Sequence, residues 1–112
     1  MAGAVQAISV LNFALDAIQQ RQQVIANNVA NSSTPGFQAS VVTFENSLAQ
    51  AIQSGGTATS AVVPEGFASA SDGNNVNLSA ELSLEAQTNL ENQAVANALT
   101  SQFTNLQTAI TG

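Results

Sequence analysis

The chain has 112 residues, a formal net charge of −6 and a single basic side chain, Arg21. One cation cannot neutralise a nucleic-acid backbone or hold an anionic membrane surface, so we expect neither nucleic-acid binding nor direct lipid binding. Histidine, cysteine, lysine and tyrosine are absent, which removes the usual general bases, nucleophiles and metal ligands, and we expect no enzyme, cofactor or metal site.

Charged residues make up only 7% of the chain, against about 25% in an average domain. Surface polarity must therefore come from Asn, Gln, Ser and Thr. Such surfaces repel one another weakly and hydrogen-bond across contacts, which favours self-association. Adaptation to an acidic or salty environment is the alternative explanation. The apolar content predicts one domain of marginal stability as a monomer.

Apolar residues in the first segment, residues 1–31, recur with alternating spacings of four and three. This is the a/d pattern of a heptad repeat, and it predicts a helix over about residues 4–30. Gln22 lies on the seam, where it either fixes the register or is tolerated half-exposed. Arg21 either pairs with a carboxylate of a neighbouring subunit or is solvated. The expected packing positions on this helix are Ile8, Leu11, Leu15, Ile18, Ile25 and Val29.

A helix stop and a sharp turn follow. Asn31 can adopt the left-handed conformation that caps a helix, and Asn28 lies within reach of the last unpaired carbonyls. Pro35 and Gly36 suit the two central positions of a type II turn, which projects Phe37 as an anchor. The residues that we assign to this 28–37 turn as an assembly site are Asn28, Asn31, Thr34, Pro35, Gly36 and Phe37.

The middle segment, residues 32–77, has weaker signals. Phe44, Leu48 and Ile52 are spaced four apart and predict a short amphipathic helix over residues 42–52. Residues 54–71 are rich in Gly, Ser, Thr and Ala without periodicity, which predicts a flexible loop. Residues 72–76, Asp-Gly-Asn-Asn-Val, predict a turn into the last segment.

The last segment, residues 78–112, repeats the heptad spacing and predicts a second long helix, with Asn77 or Ser79 as its N-cap. The seam is polar in its first half and apolar in its second, so tight packing is expected near residues 96–110. The packing positions there are Leu99, Phe103, Leu106 and Ile110. Glu81 and Glu85 could form an acid/base or metal pair, but acidic residues at a solvated helix N-terminus explain them more simply.

These elements together predict an all-α fold. Long N- and C-terminal helices pack as a coiled coil and are joined by a turn, a short helix and a flexible loop. Two helices from opposite ends of the chain make a poor isolated core, because ordering costs roughly 1.5 kcal/mol per residue. We therefore expect the fold to be completed when many copies assemble side by side.

The stretch from Arg21 to Asn31, followed by Thr34-Pro35-Gly36-Phe37, resembles the N-terminal signature of bacterial flagellar rod and hook proteins. Further residues look like the proximal rod proteins of that family. The resemblance covers roughly two thirds of the chain and excludes residues 54–71. The residues of the second match are Phe44 and Leu48, the turn at residues 72–76, and Phe103, Leu106, Ala109 and Ile110.

The resemblance implies a structural subunit of the flagellar basal-body rod, the periplasmic shaft that transmits torque and encloses an export channel. It implies type III export without a cleaved signal, and terminal helices that assemble as coiled coils. The implied partners are copies of itself, other rod proteins, the membrane-embedded ring with its adaptor protein, and the export apparatus. The alternatives are a rod protein at another axial position, or a secreted coiled-coil binding protein unrelated to motility.

The chain departs from the family pattern in three respects. Phe37 stands where Tyr is common, the middle segment is short, and basic residues usual in the C-terminal helix are replaced by Asn, Gln and Thr. We therefore expect hydrogen bonds and apolar seams, rather than salt bridges, between subunits.

Overall fold

A computed structural model describes residues 2–112 as two long helices, one short helix and a two-stranded sheet. Met1, the first residue of the predicted 1–31 segment, lies outside the described residues. The long helices predicted at the two ends are confirmed, but the all-α prediction is wrong because of the sheet. The elements in chain order are α1 (Ala2–Ala30), β1 (Ser40–Thr43), α2 (Glu45–Ser54), β2 (Ala61–Pro64) and α3 (Leu78–Thr111).

Helices α1 and α3 run antiparallel to each other within the chain. The amide of Gln22 donates to Asn89 Oδ1 at 2.9 Å, and nearer the end of α1 the amide of Asn28 donates to Glu81 Oε1 at 3.1 Å. The described chain measures 63 × 25 × 14 Å, and its shortest dimension barely exceeds the diameter of one helix, about 10–12 Å. Much of each long helix therefore lies at the surface, and a coiled coil between copies stays a prediction.

The sheet is an antiparallel pair in which one valine doublet faces another. Val41 is opposite Val63 and Val42 is opposite Val62. β-branched residues on paired strands pack well across the ladder, which explains why these short segments pair. The predicted helix over residues 42–52 instead begins at Glu45, and residues 54–71, predicted as a flexible loop, contain β2.

The small core lies where this hairpin crosses the middle of α1. Ile18 and Val42 are each 1% exposed, and the ring of Phe44 is also buried. The ring of Phe13 meets that of Phe44 edge-on, with centroids 6.2 Å apart and an interplanar angle of 71°, a favoured aromatic geometry. The half-buried residues that complete the cluster are Phe13, Val24, Leu48 and Val95.

Packing on α3 is concentrated in its first half, so the prediction of tight packing near residues 96–110 is wrong within one chain. Glu81 and Thr88 are the buried residues of α3, whereas Phe103 is 51% exposed and Ile110 is 67% exposed. The reason is geometric: the core cluster engages α3 at Val95, and the sheet contacts α1 rather than the distal half of α3.

The other predicted seam positions are more covered. On α1, Ile18 and Ile25 are buried. The seam residues with intermediate exposure are Ile8, Leu11, Leu15, Val29, Leu99 and Leu106. Neither long helix, over residues 2–112, carries an apolar stretch sufficient to cross a bilayer.

Candidate functional site

The C-terminus of α1 is closed by hydrogen bonds from Asn31. Its backbone N–H donates to the carbonyls of Asn27 and Asn28 at 3.1 and 3.2 Å, and its side-chain amide donates to Asn27 O at 2.8 Å. The predicted left-handed conformation of Asn31 is wrong, because glycines are the only residues with positive φ within residues 2–112. The asparagine caps the helix through its side chain instead.

The sharp turn predicted after the helix is confirmed. Phe37 N–H donates to the carbonyl of Thr34 at 3.2 Å, and Gly36 has a φ of 75°. With Pro35 before the glycine, these are the features of a type II turn. The hydroxyl of Thr34 also donates to Asn31 Oδ1 at 3.1 Å. Phe37 is half-buried within the chain, and its contact with a neighbouring copy stays a prediction.

This turn is held by a second turn 35 or more residues further along the chain. Gly36 N–H donates to Asp72 O at 2.8 Å, and Asn75 N–H donates to Phe37 O at 3.1 Å. The side-chain amide of Asn74 donates to two carbonyls of the first turn, those of Asn31 and Thr34, each at 2.8 Å. We call residues 31–37 and 72–75 together the double turn.

Two buried asparagines organise the second half of the double turn. Asn74 and Asn75 are each 5% exposed. Asn74 Oδ1 accepts the N–H of Val76 at 2.8 Å, and Asn75 Oδ1 accepts the N–H of Ala39 at 2.6 Å. A neutral amide both donates and accepts, so it satisfies backbone groups without introducing a charge. The sequence predicted the turn at residues 72–76 but not this pairing; two adjacent asparagines after Asp-Gly were the available signal.

The backbones of the two glycines in the double turn lie close to each other. Gly73 has a φ of 84°, and a Cβ added there would lie 3.2 Å from Gly36 Cα, whereas a Cβ on Gly36 would meet nothing within 4 Å. Left-handed backbone costs an L-residue roughly 1–2 kcal/mol. We expect Gly36→Ala to lower the free energy of unfolding by about 1 kcal/mol and Gly73→Ala by about 2 kcal/mol, measured by urea denaturation.

The control for this pair is Ser71→Ala, an exposed neighbour of the second turn, which should change stability by less than about 0.5 kcal/mol. Equal losses in Gly36→Ala and Gly73→Ala would show that the approach of the two glycine backbones does not limit the turn.

Asn28 connects three elements at the base of the turn. It is 1% exposed. Its amide donates to Ser40 O at 2.8 Å and to Glu81 Oε1 at 3.1 Å, while its Oδ1 accepts the N–H of Ser40 at 3.2 Å. The expectation that Asn28 caps the carbonyls of α1 is therefore wrong. Its polar atoms instead join α1 to β1 and to the first turn of α3.

The N-terminus of α3 differs in part from its prediction. Asn77 is the N-cap, with its Oδ1 accepting the N–H of Ala80 at 3.1 Å, which confirms one of the two candidates. Glu81 was expected to be solvated, as an acidic residue in the first turn of a helix. That expectation is wrong, because Glu81 is only 1% exposed. Its neighbour is the carboxyl of Glu65, and partial burial together with the Glu81 carboxylate raises the pKa of Glu65 to about 7.

Arg21 is buried and ion-paired inside the chain, so both sequence interpretations of it are wrong. Its guanidinium donates to Val42 O at 2.7 Å, pairs with Glu45 at 2.8 Å and lies 3.6 Å from Glu91. Its Cζ is 4.7 Å from the centroid of the Phe44 ring, a cation–π contact. The hydrogen bond from Arg21 holds the pKa of the Glu45 carboxyl below its usual value.

The internal pairing of Arg21 leaves the outer surface of the chain without a free basic side chain among residues 2–112. Among the side chains of residues 2–112, the single cation is occupied internally, so two copies of this region cannot form a salt bridge without breaking an internal one. The expectation of hydrogen bonds and apolar seams between subunits, drawn from the missing basic residues of the last helix, stays a prediction.

Comparisons with known proteins point to one family. A family model described as flagella basal body rod protein matches residues 8–38, which span most of α1 and the 28–37 turn. The chain is 32% identical to the flagellar basal body rod protein FlgB of Bacillus subtilis (strain 168) over 117 aligned residues, covering 91% of each protein. It is 47% identical to FlgB of Escherichia coli (strain K12) over 49 residues, which cover 44% of this chain and 36% of the relative.

A further relative matches over a shorter stretch. FlgB of Borrelia hermsii is 55% identical over 38 residues, which cover 34% of this chain and 28% of that protein. The three relatives carry the same protein name, and the Bacillus alignment extends well beyond the region that the family model matches.

Proposed function

Because this chain belongs to the flagellar basal body rod protein family, we propose that it serves as the FlgB subunit of its bacterium's rod. It is a structural protein and not an enzyme. The observation that carries this conclusion is the 32% identity to the Bacillus protein over 91% of both chains, which takes in the hairpin, the double turn and most of α3. The predicted membership of the rod family, and the resemblance to FlgB within it, are confirmed.

Assembly through the terminal helices is supported by an uncovered apolar face on α3. Helix geometry places four apolar residues of the seam on one face, beside the face that α1 covers. Burying one such side chain fully is worth roughly 1.5–3 kcal/mol, so the face gains most when a neighbour covers it. The residues and their exposures are Leu78 at 45%, Leu82 at 57%, Phe103 at 51% and Ile110 at 67%.

On this proposal, neighbouring subunits lay their long helices against this α3 face and build a tube that transmits torque and encloses the export channel. The 28–37 turn directs the β1–β2 hairpin sideways from the helix pair, and Phe37 contacts an adjacent subunit. A subunit at the proximal end of the rod would have further partners. The partners that we propose are other rod proteins, the membrane-embedded ring with its adaptor protein, and the export apparatus that delivers the subunit without a cleaved signal.

The test replaces apolar side chains on this face in the bacterium that makes the protein. We expect the double variant Phe103→Ser with Ile110→Ser to fold with unchanged helical content by circular dichroism, because both side chains are exposed in the single chain. It should be exported but fail to form rods, so swimming in soft agar is lost and purified basal bodies lack the subunit.

The matched control is Asn105→Ser with Gln107→Ser, two exposed polar positions on the same stretch of α3, which should leave swimming intact. Normal rods in the Phe103 and Ile110 double variant would contradict assembly through this face. Normal swimming after deletion of the whole gene would contradict the rod function itself.

A further inference from the structure

Two carboxyl groups meet at the point where β2 leads into the loop that returns to α3. Glu81 is 1% exposed, and its Oε1 is occupied by the amide of Asn28. The remaining oxygen of Glu81, Oε2, is buried and has no hydrogen-bond partner, and the same is true of Oε2 of Glu65. Two ionised carboxylates in this position would repel each other, and each would leave a desolvated oxygen unsatisfied.

One proton between the two groups removes both difficulties. A protonated carboxyl donates one hydrogen bond, so an O–H on Glu65 can donate to Glu81 Oε2 and satisfy both buried oxygens together. The backbone supports this position, because Glu65 N–H donates to Ala39 O at 3.0 Å and so extends the β1–β2 pairing by one bond. The buried, unpartnered Oε2 atoms of both residues therefore fit a carboxyl pair that holds a single proton.

We propose that one proton shared by Glu65 and Glu81 fastens residues 65–71 to the helix pair, and that losing it releases this segment while α1, α3 and the double turn stay folded. The helices do not depend on the Glu65–Glu81 pair, since the α1–α3 contact extends well beyond it and the core lies at Ile18 and Phe44. The hairpin also has a separate tie to α1, through the hydroxyl of Ser60 donating to Gln20 at 2.8 Å.

Among the charged groups on the surrounding elements, Glu81 is the one that acts on Glu65. On α1, Arg21 is already ion-paired and Asp16 is exposed. β1 has no ionisable side chain. On α3, Glu85 lies one turn beyond Glu81, and in the loop Asp72 accepts the N–H of Asn74. Burial and the Glu81 carboxylate are the causes that raise the pKa of Glu65.

The direction of the pH effect follows from this shift. The attached loop keeps the proton up to about pH 7, whereas the released loop loses it near the ordinary glutamate pKa of 4.5. Between these values the attached state binds more protons, so the opening constant rises with pH, by at most about tenfold per pH unit, and levels off above pH 7. The stabilisation by the shared proton is fully present below about pH 4.5 and is lost as the pH rises through about 7.

Hydrogen–deuterium exchange of the full chain tests the proposal. After correction for the intrinsic pH dependence of exchange, peptides from residues 65–71 should lose protection between about pH 5 and about pH 8, while peptides from the middle of α1 and from residues 72–75 should not. NMR of ¹³C-carboxyl-labelled protein should give a titration midpoint for Glu65 near 7.

Isosteric variants separate the proton from other causes. In Glu65→Gln the amide donates to Glu81 at every pH, so protection should become independent of pH and exceed that of the unmodified protein at about pH 8. Glu81→Gln should behave in the same way, with Asn28 still bonded to its oxygen. The matched control, Glu85→Gln, should keep the original pH dependence.

Four results would overturn the proposal. The first is a Glu65 midpoint near 4.5; the second is pH-independent or absent protection of residues 65–71 in the unmodified chain. The third is an unchanged pH dependence in Glu65→Gln. The fourth is restoration of protection at about pH 8 by millimolar Ca²⁺, since the occupant between the carboxylates would then be a cation and not a proton.

Discussion

Replacing Arg21 by methionine is expected to lower the free energy of unfolding by about 3 kcal/mol. The change leaves the buried carbonyl of Val42 without its charged donor at 2.7 Å, removes the ion pair to Glu45 at 2.8 Å, and ends the contact with the Phe44 ring. Methionine keeps an unbranched apolar side chain in the same space, so the loss reports the cation rather than a cavity. Urea denaturation followed by circular dichroism measures it.

Three companion variants assign this loss to its parts. Arg21→Lys keeps the charge without the planar fork and should cost about half as much. Glu45→Gln should cost less than about 1 kcal/mol, because that carboxylate is 58% exposed. In Arg21→Met the pKa of Glu45 should rise towards its usual value, since the hydrogen bond from Arg21 is the main cause of its depression.

An Arg21→Met protein as stable as the original would contradict this account. Buried ion pairs are sometimes replaced by apolar residues without loss, and that outcome here would mean that water reaches the Val42 carbonyl once the arginine is gone. A loss that disappears in high salt would likewise point to a screened, surface-like pair rather than a buried one.

The parts of the fold that the sequence predicted are those determined by local interactions. Helix α1 follows from its heptad spacing, and the turn after it follows from Pro35 and Gly36, whose backbone preferences suit one turn type. Asn77 as the N-cap of α3 also depends on a bond to a residue three positions away. Each of these features is decided within about one helical turn of chain.

The sequence did not predict the hairpin, because its two strands are stabilised by contacts with each other and with α1 rather than by local interactions. Four residues per strand, Ser40–Thr43 and Ala61–Pro64, give too short a pattern to distinguish a strand from loop or helix. The helical spacing of Phe44 and Leu48 suggested extending α2 backwards over Val42. The informative signal was the repeated Val-Val doublet, since β-branched neighbours on two segments can pack across a ladder.

The polar contacts of the site escaped prediction for a related reason. In a chain rich in asparagine, nothing local distinguishes Asn28, which is buried, from Asn105, which is exposed. The partners of Asn28 lie 12 and 53 residues away, and burial is decided by the fold as a whole. The burial of Glu81 was missed for the same reason, because it depends on the amide of the distant Asn28, which donates to its carboxylate.

The distribution of apolar contacts links the single chain to the assembly. The buried contacts of the chain lie where the hairpin and the double turn pack against α1. The apolar face of α3 stays uncovered at Phe103 and Ile110. Because its one cation is used internally, the chain holds its own elements by charge and neutral amides. Apolar surface is therefore the main attraction it offers to further subunits.

Asn28 is expected to be the polar residue with the largest effect on stability. Asn28→Ala should lower the free energy of unfolding by about 3 to 4 kcal/mol, because it leaves both backbone polar groups of Ser40 and one oxygen of Glu81 buried without partners. This is a large share of the 5–15 kcal/mol typical of a whole domain. Urea denaturation measures the loss, and exchange of the Ser40 amide, which Asn28 accepts, should become faster.

Asn27→Ala is the control, since this neighbouring asparagine has the same side chain on an exposed face of α1 and should cost less than about 0.5 kcal/mol. Similar losses in the two variants would mean that helix propensity, and not the bridge to β1 and α3, explains the effect. A stable Asn28→Ala protein with a protected Ser40 amide would contradict the bridge directly, because Asn28 Oδ1 is the acceptor of that N–H. The difference between the two asparagines therefore measures how strongly the end of α1 holds β1 and the first turn of α3.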